Sequence, residues 1–231
     1  MVQFIVGPKK ELFTAHKNFV IHHSPVFEAA FSKCFIEGQT KAYALNETEP
    51  RTFEMFLEWV YGQNIIPSLP FDHFSIDPMA YCRLWILADK YQVPRLQNEI
   101  MRFLWRLKSS IPVTPVPVEK EISHDNIQEI YDKTMNGSPL RMFLAEHMAA
   151  FGLEAPFPIR QAVEERILTQ EMLVDILEAC QTIVPKNTAL HRIELDAFLV
   201  SEEVPDIKKG RLPEQLQDST FHIRSSKSFK K

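Results

Sequence analysis

Three short runs of β-type sequence limit this chain most. "VQFIV" at 2–6 is apolar and β-branched, "GPKK" turns the chain, and "ELFTA" continues it, which predicts a hairpin. "KAYAL" at 41–45 alternates and predicts a third strand. A sheet this small cannot stand alone, so helices must cover it. The fold class is therefore α+β, with the helices supplied by the rest of the sequence.

Those helices show as apolar stripes. "KNFVIHHS" predicts a short helix, and "PVFEAAFS" a second one that starts at Pro25, a favoured first helical position. Phe53, Phe56, Leu57, Val60 and Tyr61 fall at i, i+3, i+4, i+7 and i+8, one face of a helix closed by Gly62. "NIIPSLPFDHFSIDP" reads as a loop. Leu84, Leu87, Ala88 and Tyr91 make the next stripe, which Pro94 breaks. A further helix carries Leu96, Ile100, Phe103, Leu104 and Leu107.

Residues 1–107 are thus expected to form one domain. "SSIPVTPVPVEKE" contains prolines at 112, 115 and 117, so 108–122 reads as a semi-rigid extended linker. Only helical patterns follow over 123–205. One is capped near Ser123 and striped by Ile127, Ile130 and Tyr131. The next has Ser138 as cap, Pro139 at its first position, and Leu140, Phe143, Leu144 and Met148 as its stripe. A third is striped by Leu173, Ile176, Leu177 and Cys180. Periodicity then fades, and 206–231 reads as a disordered tail.

The net charge of −4 argues against a general nucleic-acid binder. From Asp206 onward, seven basic residues face three acidic ones, leaving the tail at +4 and the body at −8. Cys34, Cys82 and Cys180 are scattered and form no C-x-x-C, which fits free, mostly buried thiols in a reducing compartment, cytoplasmic or nuclear. The N-terminal sequence does not read as a secretory signal, and no run reaches the ~18 apolar residues of a membrane span.

His16, His22 and His23 crowd around Ser24 and raise the question of a metal or hydrolase site. Paired histidine ligands on a helix favour i, i+4 spacing, whereas His22 and His23 diverge by about 100° and His16 lies roughly 10 Å further along. No cysteine or second histidine pair follows at ligand spacing. Ser24 lacks a G-x-S-x-G elbow, and no Gly-rich phosphate loop occurs. Glu164–Glu165 and Glu202–Glu203 are adjacent pairs on helix-surface patterns. The expectation is no metal, no cofactor, no small-molecule substrate and no catalysis. Instead His16 serves a turn, Ser24 caps a helix beginning at Pro25, and Phe19, Val20, Phe27, Ala30 and Phe31 fill a core.

Several blocks in order carry a resemblance. "FTAHKNFVIHHSPVFEAAF" resembles the A-H-K turn and S-P-x-F helix junction of the BTB/POZ domain, on Ala15, His16, Lys17, Ser24, Pro25 and Phe27. "AYALNETEPRTFEMFLEWVYGQNI" is similar to that family's third strand and following helix, and "LWILADKYQVPRLQNEIMRFL" to its L-A-D-K-Y helix pair. The resemblance spans 2–107. The stretch "IYDKTMNGSPLRMFLAEHMA" looks like the helical C-terminal region of fungal BTB proteins. The family's usual S-D-V-like segment before the first strand has no counterpart at Met1–Val2, so a monomer or weak homodimer is expected.

The resemblance implies a protein–protein interaction module rather than an enzyme. Cullin-binding members, adaptors of ubiquitin ligases, carry an apolar-x-Glu motif after the second helix, and Phe35-Ile36-Glu37 matches it. There Phe35 would be a buried anchor at the interface and Glu37 a rim contact. The alternative at this loop is a Phe35 folded onto the core and a solvated Glu37. At the level of the whole chain the alternatives are a BTB scaffold or transcription-related oligomerisation protein, and an enzyme on the C-terminal helices using Glu146, His147 and Glu164. No kelch, ankyrin or zinc-finger repeat is present to bind a substrate.

Overall fold

The structure, a computed structural model, describes residues 1–32, 34–65, 77–110, 124–154, 168–183 and 195–202. The hairpin forms as β1 (Val2–Val6) and β2 (Glu11–Ala15), antiparallel from Val2↔Ala15 to Val6↔Glu11. Its turn closes through Lys10 N–H to Gly7 O (3.0 Å), with Gly7 at φ 71° and Lys10 at φ 57°. Gly7 is also a close approach: a Cβ there would meet the Pro50 ring at 3.2 Å. β3 (Ala42–Leu45) lies parallel to β1, giving the order β2-β1-β3. Val2, Phe4 and Val6 point into the core while Gln3 is exposed, the period-two pattern of a one-sided sheet.

Between β2 and β3 lie α1 (Lys17–His23), α2 (Pro25–Ala30) and α3 (Ile36–Thr40). Then come α4 (Pro50–Gly62), α5 (Pro78–Lys90) and α6 (Pro94–Ser110). Phe53, Phe56 and Val60 of α4 are buried, as are Leu84, Leu87, Ala88 and Tyr91 at α5 and Leu96, Ile100, Phe103 and Leu104 on α6. The stripes thus predicted these helices and most of their inward faces.

Several details differ from the sequence reading. Tyr61 is 45% exposed, because its hydroxyl reaches the His16 backbone while Trp59 takes the inward position. Phe19 is 47% exposed: α1 is short and turns Val20 inward, leaving the preceding residue about 100° away. The left-handed residue after α4 is Gln63 (φ 52°), with its N–H bonded to Trp59 O, rather than Gly62. The loop around Phe35 contains the short helix α3. Cys82 is buried, but Cys34 is exposed and Cys180 half-buried.

The C-terminal region is helical: α7 (His124–Lys133), α8 (Pro139–Glu154), α9 (Gln170–Ile183) and a short 3-10 helix, Leu195–Phe198. Ser138 precedes Pro139 as expected, but its Oγ is buried without a hydrogen-bond partner, so it does not cap α8. On α9 the inward residues are Met172 and Ala179 with Ile176 packed beside them, while Leu177 is 61% exposed. The packed face is rotated toward α8. Most of 108–122 and all of 206–231 lie outside the described residues, as do Glu164, Glu165 and Glu203.

One core runs from the sheet through α2, α4, α5 and α6 to Ile130, Leu140, Phe143, Leu144 and Phe198. A smaller cluster of Ile127, Tyr131, Leu168 and Met172 lies beside it. The helical region is therefore packed onto the sheet-bearing region.

Candidate interaction surfaces

The A-H-K and S-P-x-F residues form one joint. Ala15 is buried at the end of β2. The His16 backbone N–H donates to the Tyr61 hydroxyl (2.9 Å), which also faces His16 Nδ1 at 3.0 Å. Lys17 Nζ donates to Phe31 O (2.7 Å), placing a cation on a terminal carbonyl of α2. Ser24 Oγ accepts the Phe27 N–H (3.2 Å) and donates to Tyr91 O (2.7 Å). The serine thus caps α2 and ties the α1–α2 junction to the end of α5. Pro25 opens α2, and Phe27 stacks on Tyr91 with centroids 4.3 Å apart. These residues build the scaffold on which the neighbouring surfaces sit.

The three histidines serve three different contacts. His16 belongs to the Tyr61 contact, and His22 sits edge-on to His23 with centroids 4.7 Å apart. His23 Nε2 lies 3.0 Å from Gln63 Nε2, and its ring meets Trp59 at 5.0 Å. Burial, and next the neighbouring His22 and Arg95, hold the His23 imidazole below its ordinary pKa. Among the described residues no group of three His, Cys, Asp or Glu side chains is placed to hold a metal ion. An open groove of about 400 Å³ runs here, lined by Phe19, His22, His23, Tyr61, Gln63 and Arg95. Phe19 and Tyr61 stand on its rim with ring centroids 5.1 Å apart.

The α2–β3 connection presents a different surface. Phe35 is the N-cap residue of α3 and is 39% exposed; Ile36 is 55% exposed, and Glu37 is half-buried. Glu37 lies near Tyr43. Gly38 and Gln39 donate backbone N–H groups to Phe35 O (3.1 and 3.2 Å), and Thr40 Oγ1 donates to Ile36 O (2.9 Å). Two adjacent apolar side chains are thereby displayed on a hydrogen-bonded turn.

Sequence reasoning passed over two residues at this surface. Ile36 was the middle, unassigned residue of apolar-x-Glu, yet it is more exposed than Phe35. Gly38 packs so closely on the Ser32 carbonyl that a Cβ would overlap it, so α3 can approach α2 only with glycine there. The glycine beside the motif was visible, but its tight neighbour was not.

Of the enzyme candidates, Glu164 lies outside the described residues, and the two described ones do not converge on one point. Glu146 is buried and His147 half-buried, adjacent on α8 and therefore directed about 100° apart. Glu202 is exposed and accepts from Asn98 Nδ2 (2.9 Å). No helix among the described residues is long and apolar enough to cross a membrane.

With this geometry in place, comparison with known families assigns the sheet-bearing half. Residues 2–107 match the family model described as BTB/POZ domain, the same span that carries the sequence resemblance. No curated protein matches the sequence.

Proposed function

Because residues 2–107 belong to the BTB/POZ family of protein-interaction modules, we propose that this chain is a non-enzymatic adaptor that docks on a cullin scaffold of a ubiquitin ligase through its α2–β3 turn. The observation that carries the reading is the exposure of Phe35 and Ile36 next to Glu37 on a braced turn. Phe35 is the anchor that enters a groove on the scaffold, and Glu37 contributes at the rim. The helical region after α6 is then the surface left for a substrate protein. No cofactor, metal, nucleic acid or membrane takes part, and the working compartment is cytoplasm or nucleus.

Calorimetric titration of the chain with a purified cullin N-terminal domain tests this. Phe35→Ala is expected to weaken binding by ~2 kcal/mol or more, the scale of an anchor residue. Folding stability should stay within about 0.5 kcal/mol, the usual range for a surface site. Glu37→Ala should weaken binding less. Absence of binding by the unmodified chain, or a large loss of stability in Phe35→Ala without a binding effect, would sink the proposal.

The exposed Phe19–Tyr61 pair favours a second reading, a self-associating scaffold or transcription-related oligomerisation protein that uses the α1 face. Sedimentation velocity separates the two. A dimer that dissociates in Phe19→Glu while cullin binding is absent supports this alternative.

A further inference from the structure

The segment Leu195–Glu202 follows the helical bundle and lies across the junction between α6 and α8. Phe198 is fully buried, with its ring 5.7 Å from Trp105 of α6 and 5.7 Å from Phe143 of α8, the latter edge-on at 89°. Leu199 and Val200 are half-buried against the same core. Asp196, Ala197, Ser201 and Glu202 are exposed.

The main chain of the segment is read by one side chain. Asn98 of α6 is buried, and its amide holds Val200 from both sides: Oδ1 accepts the Val200 N–H (2.8 Å) and Nδ2 donates to Val200 O (3.0 Å). Nδ2 also donates to Glu202 Oε1 (2.9 Å). A paired donor and acceptor on one residue is what a neighbouring β-strand offers, so Asn98 recognises the main chain at Val200 whatever side chain it carries. Selectivity comes from the alternate positions: an aromatic at 198 in the slot, an apolar residue at 200 and a carboxylate at 202. Of its described side chains Phe198 is the fully buried one, and Asn98 makes two hydrogen bonds to its main chain. Short segments outside the long helices open more readily than helix interiors.

We propose that the junction of α6 and α8 is a peptide-binding groove. Its cis ligand is residues 195–202, a 3-10 turn followed by irregular chain, and it also accepts a partner segment of the pattern aromatic-x-apolar-x-acid in exchange. This site is separate from the α2–β3 turn. The segment gates it: a partner gains the groove only when the cis strap has left, so affinity is reduced by the fraction of time the strap is seated.

The test uses the full chain and a fluorescent synthetic peptide of residues 195–202, LDAFLVSE, read by anisotropy. A Phe198→Ala chain vacates the slot and should bind this peptide at least tenfold more tightly than the unmodified chain does. Replacing the peptide's phenylalanine by alanine, or adding Asn98→Ala to the Phe198→Ala chain, should each lower that binding at least tenfold. In the unmodified chain, the Val200 amide should exchange with solvent faster than the interior amides of α6. The proposal is overturned if the folded Phe198→Ala chain does not bind the peptide, or if the alanine peptide binds equally well. It is equally overturned if Phe198→Ala abolishes cooperative folding or if Val200 is as protected as α6, because the strap is then a fixed part of the core.

Discussion

The BTB/POZ region and the helices after it are held together by different chemistry. In the first, aromatic rings pack on one another. Phe4 touches Phe27, Phe31 and Phe53 at centroid distances of 5.4, 5.7 and 4.8 Å, and Phe27 also stacks on Tyr91. In the second, a single buried cation organises three helices. Arg141 of α8 donates from Nε to Thr134 Oγ1 (2.8 Å) and from Nη2 to both Tyr131 O and Thr134 O, at the end of α7. It also pairs with Glu171 of α9, and its guanidinium carbon lies 4.6 Å from the centroid of the Tyr131 ring. The Tyr131 hydroxyl in turn donates to Asp175 of α9 (2.9 Å). The apolar core spreads its contacts over many partners, whereas the polar one concentrates them in one residue. Damage to each should therefore spread differently.

The largest effect is expected from Phe27→Ala. It removes a fully buried ring in contact with Phe4, Phe31, Tyr43, Phe56 and Tyr91, at a cost of about 3–5 kcal/mol. Denaturant unfolding measures it. Because the core is continuous with α7 and α8, amide protection should fall in both regions together. A loss below ~1.5 kcal/mol would mean the aromatic cluster collapses around the gap and is less constrained than its contacts imply.

Arg141→Ala comes next, at about 3 kcal/mol, because it leaves the α7 carbonyls without their donor and Glu171 without its partner. This loss should stay local. Hydrogen exchange is expected to rise in α7 and α9 and remain unchanged in α4 and α5. Equal loosening of α4 would erase the contrast between the two regions.

The same contrast explains what could be read in the sequence. Period-two and stripe patterns located β1, β2, β3 and α4–α6, because burial of one face leaves a local trace. Ser24 and Pro25 announced a helix start through chemistry confined to neighbouring residues. Arg141 and Asn98 left no such trace. Each looks like an ordinary surface residue until partners far along the chain arrive, Glu171 for one and Val200 for the other. Phe19 and Tyr61 failed for the opposite reason, since their types suit a core and only the final packing turns them outward. At the α2–β3 turn, Phe35 and Glu37 were picked from a motif, while Ile36 and the steric need for Gly38 came from three-dimensional neighbours.

The smallest effect lies where the two regions meet. Arg83 of α5 holds Glu129 of α7 through three hydrogen bonds of 2.8–3.2 Å, and Lys133 Nζ adds one at 2.8 Å. The Arg83 guanidinium, with help from Lys133, pulls the Glu129 carboxyl down to about 2 from its ordinary 4.5. A folded-state value below the unfolded one stabilises the fold above about pH 4.5, and that stabilisation is lost as pH falls toward about 2. The shift corresponds to roughly 3 kcal/mol without screening. Both side chains are partly open to water, which reduces the working contribution to ~1 kcal/mol. Glu129→Gln should therefore lower unfolding free energy by about 1 kcal/mol at pH 7, and the two proteins should converge as pH falls below about 3. Denaturant unfolding at a series of pH values from 7 down to 2 measures this. A difference that persists at the acid end would show that the glutamine has disturbed packing between α5 and α7, and that the two regions are joined there by shape more than by charge.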